Sequence, residues 1–528
     1  LIVALVGQLL VVLAGCPAAP PAGPAAPAAA PAANPSPPAA KVSADAAAVP
    51  AASAASAGEP SSTLSAPAPF AGWPKPTVAI FLTGQQLGYI EPCGCTGLEN
   101  QKGGLARRHT LLRQLRDERG WPVVALDVGS QIRRYGIQQE IKFHHTASAL
   151  RTLGYSAVML GAYDLKLPVN SLLNGTNTAD DKPSIFTAAN VALIDRDLQP
   201  PYQVVESGGK KIGIVGVLGN SFEAKLTGGE LIHQPPLDGL KDSCRDLKAQ
   251  NCDFHVLLAH ATLDEAQKIA QEIPLFDLVV CSDGGGLPSS DLEPIEGTKA
   301  RLIKVSHKAM HAGVVGLFDD AAAPLRYSVV TLDAQLKDSP EMLRHLADYQ
   351  EQLKSEGFAG LGLKPQPHAS GKQFVGSETC GECHQKAWAK WSTTPHAHAT
   401  DSLVRPPNTR ADIPRQFDPE CLSCHVTGWD PQKYSPFESG YRSLTETPKL
   451  QHNGCENCHG PGSAHVAAEN GEGTDEQRTK LRESMRLFIA GGAAENKCRE
   501  CHDEDNSPDF THKGFAEYWK EVEHRGKD

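Results

Sequence analysis

With 528 residues and a formal net charge of −11, the chain is long enough for two or three domains. Its acidic balance excludes the basic face that nucleic-acid binding requires. Apart from the first residues, no apolar run is long enough to span a bilayer. The 14 cysteines divide into eight within a repeated signature, Cys16 near the start, and five others: Cys93, Cys95, Cys244, Cys252 and Cys281.

Residues 1–14 are almost wholly apolar and too short for a comfortable span, so they read as the apolar region of a secretory signal peptide. The basic segment and initiator methionine expected before such a run are missing, which points to a truncated or misassigned start. The run ends Leu13-Ala14-Gly15-Cys16, which resembles the bacterial lipobox. That resemblance implies removal of residues 1–15 and acylation of Cys16, with more than one acyl chain because one alone anchors marginally. The alternative is an ordinary secretory signal with an incidental cysteine. The expected location is extracytoplasmic and lipid-anchored, in the periplasm or at the outer-membrane surface. Residues 16–76 are rich in Ala, Pro and Ser, with no periodic apolar face to offset ordering entropy. They are predicted to form a disordered, semi-extended tether.

From residue 77 the pattern changes. Apolar runs at 78–82, 123–128, 185–191, 212–218, 254–259 and 278–281 read as buried strands, and 105–115 and 264–273 as amphipathic helices. The alternation predicts an α/β layered domain over 77–335. Its motifs are Thr83-Gly-Gln-Gln-Leu-Gly-Tyr-Ile-Glu-Pro92, Gly103-Gly-Leu-Ala-Arg-Arg108, Leu153-Gly-Tyr155 leading to Gly161, Ala189-Asn-Val191, Lys211-Ile-Gly-Ile-Val-Gly216 and Leu258-Ala-His260. In this order they resemble the metallophosphoesterase domain of bacterial 5′-nucleotidases, a calcineurin-like fold. That chemistry needs two metal ions held by Asp, His and Asn to activate water and stabilise phosphoryl oxygens. At the positions implied by the resemblance stand Gln85-Gln86-Leu87, Ser130, Ala162-Tyr163 and Asp283-Gly284-Gly285. His260 alone is kept, with Asp283 a substitute. One His and one carboxylate are too few for two ions, so phosphoesterase activity is predicted absent and the scaffold is read as a docking module.

Pro92-Cys93-Gly94-Cys95 follows the first strand. Two thiols one residue apart suit a soft metal or a redox pair, making Cys93, Cys95, His260 and Asp283 candidates for an additional metal or redox site. The alternative is a surface loop pinned by disulfides to Cys244, Cys252 or Cys281. Cys244 and Cys252, eight residues apart, are also candidates to pair with each other. His144-His145 reads as a surface feature.

Residues 336–371 are predicted to be a helix (339–356) and a Gly/Pro linker. Beyond them the five-residue signature C-x-x-C-H occurs four times: Cys380-Gly-Glu-Cys383-His384, Cys421-Leu-Ser-Cys424-His425, Cys455-Glu-Asn-Cys458-His459 and Cys498-Arg-Glu-Cys501-His502. This is the attachment site of c-type haem, with two thioethers to the vinyl groups and an adjacent proximal His. Zinc ribbons share the C-x-x-C spacing but need no His fixed after the second Cys each time. Four covalently bound haems c are therefore predicted over 372–528. Haem attachment occurs outside the cytoplasm, in agreement with the N-terminal reading.

The stretch Cys421-Leu-Ser-Cys-His-Val-Thr-Gly428, then Gly440-Tyr441, then Cys455-Glu-Asn-Cys-His-Gly-Pro-Gly-Ser-Ala-His465 resembles the tetrahaem cytochrome c family that serves hydroxylamine oxidation. Residues 380–400, with Trp388 and Trp391, fit its first-haem segment, and 498–524 its last. The predicted fold class is thus multidomain: a calcineurin-like α/β layered domain followed by a mainly α, loop-rich tetrahaem domain with the porphyrins as its core. Within 372–528 the six histidines outside the signatures, His396, His398, His452, His465, His512 and His524, are distal-ligand candidates. Of these, His396 or His398, His465 and His524 are preferred. A saturated iron suits electron transfer and an open one permits substrate chemistry; the resemblance allows one five-coordinate haem. The leading reading is electron carriage between redox partner proteins, with no catalytic residue assigned. The alternatives are redox catalysis on nitrogen compounds at an open haem, and an active 5′-nucleotidase-like phosphohydrolase.

Overall fold

The computed structural model describes residues 68–92, 101–177, 183–195, 199–225, 231–283, 286–407 and 411–524. The signal segment, Cys16, most of the tether, and the Cys93/Cys95 pair lie outside the described residues, as do Gly284 and Gly285. The chain divides into two units, Leu1–Ala66 and Pro67–Asp528, and all described residues belong to the second.

Two six-stranded sheets form the layered domain. The first runs Leu325–Thr331, His311–Leu317, Val78–Thr83, Val123–Asp127, Tyr155–Met159, Phe186–Thr187. The second runs Glu293–Pro294, Arg301–Lys304, Leu278–Cys281, Phe254–His260, Lys210–Leu218, Tyr202–Ser207. Central strands such as Val78–Thr83 and Phe254–His260 are buried at every position, as expected of strands covered on both faces of a sheet. The alternation of side chains decides which layer each residue joins. Ile214, Val256, Leu258 and Val280 face the first sheet in one continuous core. Their neighbours Val215, Leu257, Ala259 and Val279 pack against Leu240 and Leu247 of helix Pro236–Ala249 and Ile269 of helix Leu263–Glu272. On the far side of the first sheet, helices Leu105–Arg113, Ile137–Thr152 and Pro340–Gly360 complete an α/β/β/α stack. Each predicted strand is present, but 185–191 is split into Phe186–Thr187 and Val191–Leu193 around Asn190, whose side chain bonds the backbone of Leu218 and Gln234.

Three expectations change. The helix predicted at 339–356, set apart from the layered domain at 336–371, belongs to that domain: Pro340–Gly360 buries Met342, Leu346, Tyr349 and Leu353 in its core. Cys244, Cys252 and Cys281 are free thiols; burial in the core pushes the pKa of Cys244 and of Cys281 up to about 12. His144 and His145 are half-buried links rather than surface features, meeting the Ser171 carbonyl at 2.8 Å and Gln352 Oε1 at 2.9 Å.

The C-terminal segment is built differently. Its helices are short, the longest being Asp475–Ser484 with 10 residues. Its own apolar cluster comprises Leu403, Leu422, Val426, Trp429, Tyr441 and Leu450, too few to hold such a length of chain against its ordering entropy. Polar contacts join it to the layered domain. Arg415, almost fully buried, donates to Glu91 at 2.7 Å through Nε and again through its terminal nitrogen. Gln138 and Gln350 donate to Asp418 at 2.8 and 3.0 Å, and Lys142 to Glu420 at 2.7 Å. Removing one partner of such a pair strands the other charge. Arg415→Ala is expected to destabilise the protein by about 3 kcal/mol, read as a lower midpoint in thermal unfolding.

Candidate functional site

Each C-x-x-C-H signature forms a helical turn. In the first, the amides of Cys383 and His384 donate to the Cys380 carbonyl at 3.3 and 2.9 Å; in the fourth, those of Cys501 and His502 donate to Cys498 at 3.2 and 2.8 Å. The second lies in helix Pro419–His425, capped by the Asp418 side chain, and the third is helix Cys455–His459 itself. Helical spacing puts the thiols at i and i+3 on one face, the presentation that two vinyl groups require.

The turns are stacked in pairs. Cys380 of the first lies beside Cys455 of the third, and Cys424 of the second beside Cys501 of the fourth. Buried Glu456 fastens the first pair, accepting from the amides of Val375 (3.0 Å), Gly376 (2.8 Å) and Gly462 (2.7 Å). Asn453 Nδ2 donates to the Cys424 carbonyl and Asn457 Nδ2 to that of Val426, both at 2.9 Å, tying the third turn to the second.

Three signature histidines face a second imidazole. Ring centres are 6.3 Å apart for His384 and His465, 5.9 Å for His459 and His524, and 6.0 Å for His502 and His396. A metal bonded to two ring nitrogens at about 2 Å, each ring centre about 1 Å further out, separates the centres by roughly 6 Å. Of the alternatives at the first segment, His396 rather than His398 thus faces a signature histidine. His398 faces His452 at 6.4 Å, and neither belongs to a signature. Nδ1 of His452 accepts from the Thr400 amide at 3.3 Å, which fixes its proton on Nε2 and makes that nitrogen a poor ligand. The side chain of His512 lies outside the described residues.

The remaining chemistry fits haem iron. Nδ1 of His425, His459 and His524 lies 2.8, 2.7 and 2.9 Å from the carbonyls of Ala399, Met485 and Val522. A carbonyl only accepts, so the proton sits on Nδ1 and Nε2 keeps its lone pair. Burial lowers the pKa of His396, His459 and His465, and brings His502 down to about 4. The imidazoles are therefore neutral at physiological pH, the state a metal ligand needs.

In the layered domain the residues at the strand ends are buried and bonded to one another. Gln85 donates to the Ser282 carbonyl, and Gln86 lies between the Arg108 guanidinium and the Tyr89 carbonyl. Ser130 Oγ is 3.4 Å from His260 Nε2, while His260 Nδ1 meets the Val128 carbonyl at 3.1 Å. Asp283 accepts from the Leu263 amide at 3.2 Å and pairs with Lys304 at 3.6 Å. Among the described residues, no three or more His, Cys, Asp and Glu side chains converge to hold a metal ion. Buried Asp164 accepts from the amides of Gly161, Ser130, Gln131 and Ile132 and so shapes the loop that carries Ser130. Six non-glycine residues of this face have positive φ: Gln85, Leu87, Ser130, Asp283, Lys308 and Ala309.

Sequence reasoning missed the polar residues that hold the signatures: Asp418, Glu456, Lys142, Arg133, Lys308 and Asp505. Asp418-Pro419 ahead of a signature is a helix-start signal that points to the first of these; the others leave no local pattern.

The chain thus combines a layered α/β domain resembling that of the 5′-nucleotidases with a C-terminal segment resembling multihaem cytochromes. The family model "Cytochrome c554 and c-prime" matches residues 379–460, which include the first three signatures. Cytochrome c-554 of Nitrosomonas europaea is 28% identical over 145 residues, 25% of this chain and 59% of that protein. The middle region is similar to apyrase of Tabanus yao, 23% identical over 283 residues, 48% of this chain and 50% of that protein. A 5′-nucleotidase precursor from Thermus thermophilus superposes with TM-score 0.46 and 17% identity, covering 62% of this chain and 66% of that one. The chain thus spans between half and three-fifths of these two curated relatives.

His465→Ala and His524→Ala are each expected to convert one low-spin haem to high spin, with His452→Ala leaving the spin state unchanged. Electron paramagnetic resonance of the oxidised holoprotein checks all three.

Proposed function

We propose that this protein is an electron-transfer cytochrome carrying four covalently bound haems c, anchored by lipid outside the cytoplasm, with an inactive phosphoesterase scaffold as its docking module. The observation that carries the reading is the facing of His384, His459 and His502 by second imidazoles at ring-centre distances of 5.9–6.3 Å. At these three signatures bis-imidazole ligation would leave no open position for substrate and suits electron transfer. When bound, haem supplies a reversible one-electron carrier. The residues of the chain tether it through thiol pairs, orient the imidazoles through Nδ1, and stack the attachment turns in twos. Cytochrome c-554 is a natural comparison for this part.

The middle scaffold keeps the layered fold where Gln85, Gln86, Ser130, Ala162 and Tyr163 replace ligand-type residues. Its proposed work is to present the haem segment to a redox partner protein. The acylated Cys16 and the Ala/Pro-rich tether would hold both at a bacterial membrane, in the periplasm or at the outer-membrane surface, without nucleic acid.

The test is the mass and absorption spectrum of purified holoprotein, oxidised and reduced. Four haem masses above the polypeptide and predominantly low-spin bands are expected; colourless mature protein would overturn the proposal. Incubation with a nucleotide and manganese is expected to release no phosphate, and release abolished by His260→Ala would return the middle domain to the hydrolases.

A further inference from the structure

The polar contacts from the layered domain fall on a particular part of the haem segment. They reach residues 415–434 and 504–505, which flank the second and fourth attachment turns. The fourth turn is engaged through Asp505. Its carboxylate sits 2.6 Å from Lys308 Nζ and is also paired with Arg133. Lys308 Nζ lies 3.3 Å from the Glu504 carbonyl as well, and its side chain is only 6% exposed. Lys308 itself holds a left-handed backbone, φ 54°, a conformation kept where the surroundings over-determine it.

Asp505 is fixed to the fourth proximal histidine by a tight turn. The amides of Asp505 and Asn506 donate to Asp503 Oδ1 at 3.0 and 2.7 Å, and the Ser507 amide donates to the Asp503 carbonyl at 2.8 Å. Ser507 Oγ in turn lies 3.0 Å from His502 Nδ1. Two fixed cations of one domain therefore meet a single carboxylate beside the iron ligand of the other. A charge as buried as that of Lys308 acts on a nearby redox centre more than a surface charge does, and the partly exposed Arg133 adds to it more weakly. A positive charge favours the reduced form, which carries one positive charge fewer.

We propose that the layered domain is an electrostatic tuner of the haem at the fourth signature: Lys308 and Arg133, seated on Asp505, hold that haem at a higher potential than its own segment alone would give. Lys308 and Arg133 are positioning residues that act through the 503–507 turn and its contact with His502. The inference rests on the electron-transfer reading above, and it adds a direction, since the haem served by this cation pair becomes the preferred resting place of an electron along the second and fourth turns.

The experiment is a potentiometric titration of the full-length holoprotein, resolved into its one-electron components. Lys308→Met and Arg133→Gln are each expected to move one component to lower potential, changing its oxidised-to-reduced ratio severalfold at the wild-type midpoint. Asp505→Asn is expected to move the same component the opposite way, and Lys308→Arg to leave it in place. Arg133 is partly exposed, so its variant tests the idea even if Lys308→Met does not fold. Opposite shifts of one component from the cation and carboxylate variants, with Lys308→Arg unchanged, establish the tuner. Unmoved components in Arg133→Gln and Asp505→Asn with full haem content overturn it while leaving the electron-transfer reading intact. A wild-type protein with no haem-based redox components fails that reading instead.

Discussion

The C-terminal third depends on imidazoles meeting in pairs across a gap of fixed width. A gap of about 6 Å between ring centres matches two nitrogen–iron bonds laid end to end. The pairs are also long-range: His396 with His502, and His384 with His465. Each bound iron would therefore clip together segments that the chain itself holds weakly. The six-residue apolar cluster around Leu422 and Tyr441 does not replace those clips, and binding free energy at such sites becomes folding free energy.

What the polypeptide supplies instead is polar scaffolding for the turns. Glu456 gathers three amides, and Thr427 Oγ1 accepts from the Gly454 amide at 3.1 Å while donating to the His452 carbonyl at 3.0 Å. These bonds organise backbone that neither helix nor sheet satisfies, and an unsatisfied buried amide costs more than a made bond gains. The signatures can lie close together in sequence because their spacing in space is set by such local bonds rather than by long elements.

How much of this could be read beforehand follows from the range of each interaction. The buried strands were legible because strands covered on both faces are largely apolar runs, as in Val78–Thr83 and Phe254–His260. The edge strand Leu325–Thr331 escaped notice because it is half-buried along most of its length and its pattern is weaker; the inner strand His311–Leu317, buried throughout, was missed because its two glycines and His311 break up the apolar run. The thiols and proximal histidines are legible because attachment chemistry constrains five consecutive residues. Distal histidines carry no such local constraint, and the choice of His396 over His398 is made by where helix Pro508–Lys513 and the turn before it place His502. Burial of the helix Pro340–Gly360 against Ile137–Thr152 was equally illegible, since an amphipathic helix looks the same whichever neighbour it covers.

The junction between the two folds brings these themes together. It is ionic where a simpler solution would be apolar: Lys142 with Glu420, Arg415 with Glu91, and Lys308 and Arg133 with Asp505. Buried ion pairs seldom stabilise a protein more than well-packed apolar residues of the same volume, because desolvation consumes most of the Coulombic gain. Stability alone is therefore a poor reason for this composition. Charge does two things that apolar packing cannot. It fixes one register between the domains, because a slipped interface would strand Lys142 or Arg415 without a carboxylate. It also projects a field, and the acids that receive it, Glu420 and Asp505, lie beside the second and fourth attachment turns. On the proposal above, the layered domain would act on the haem segment through the charges of Lys308 and Arg133 rather than through chemistry at Gln85, Gln86 and Ser130.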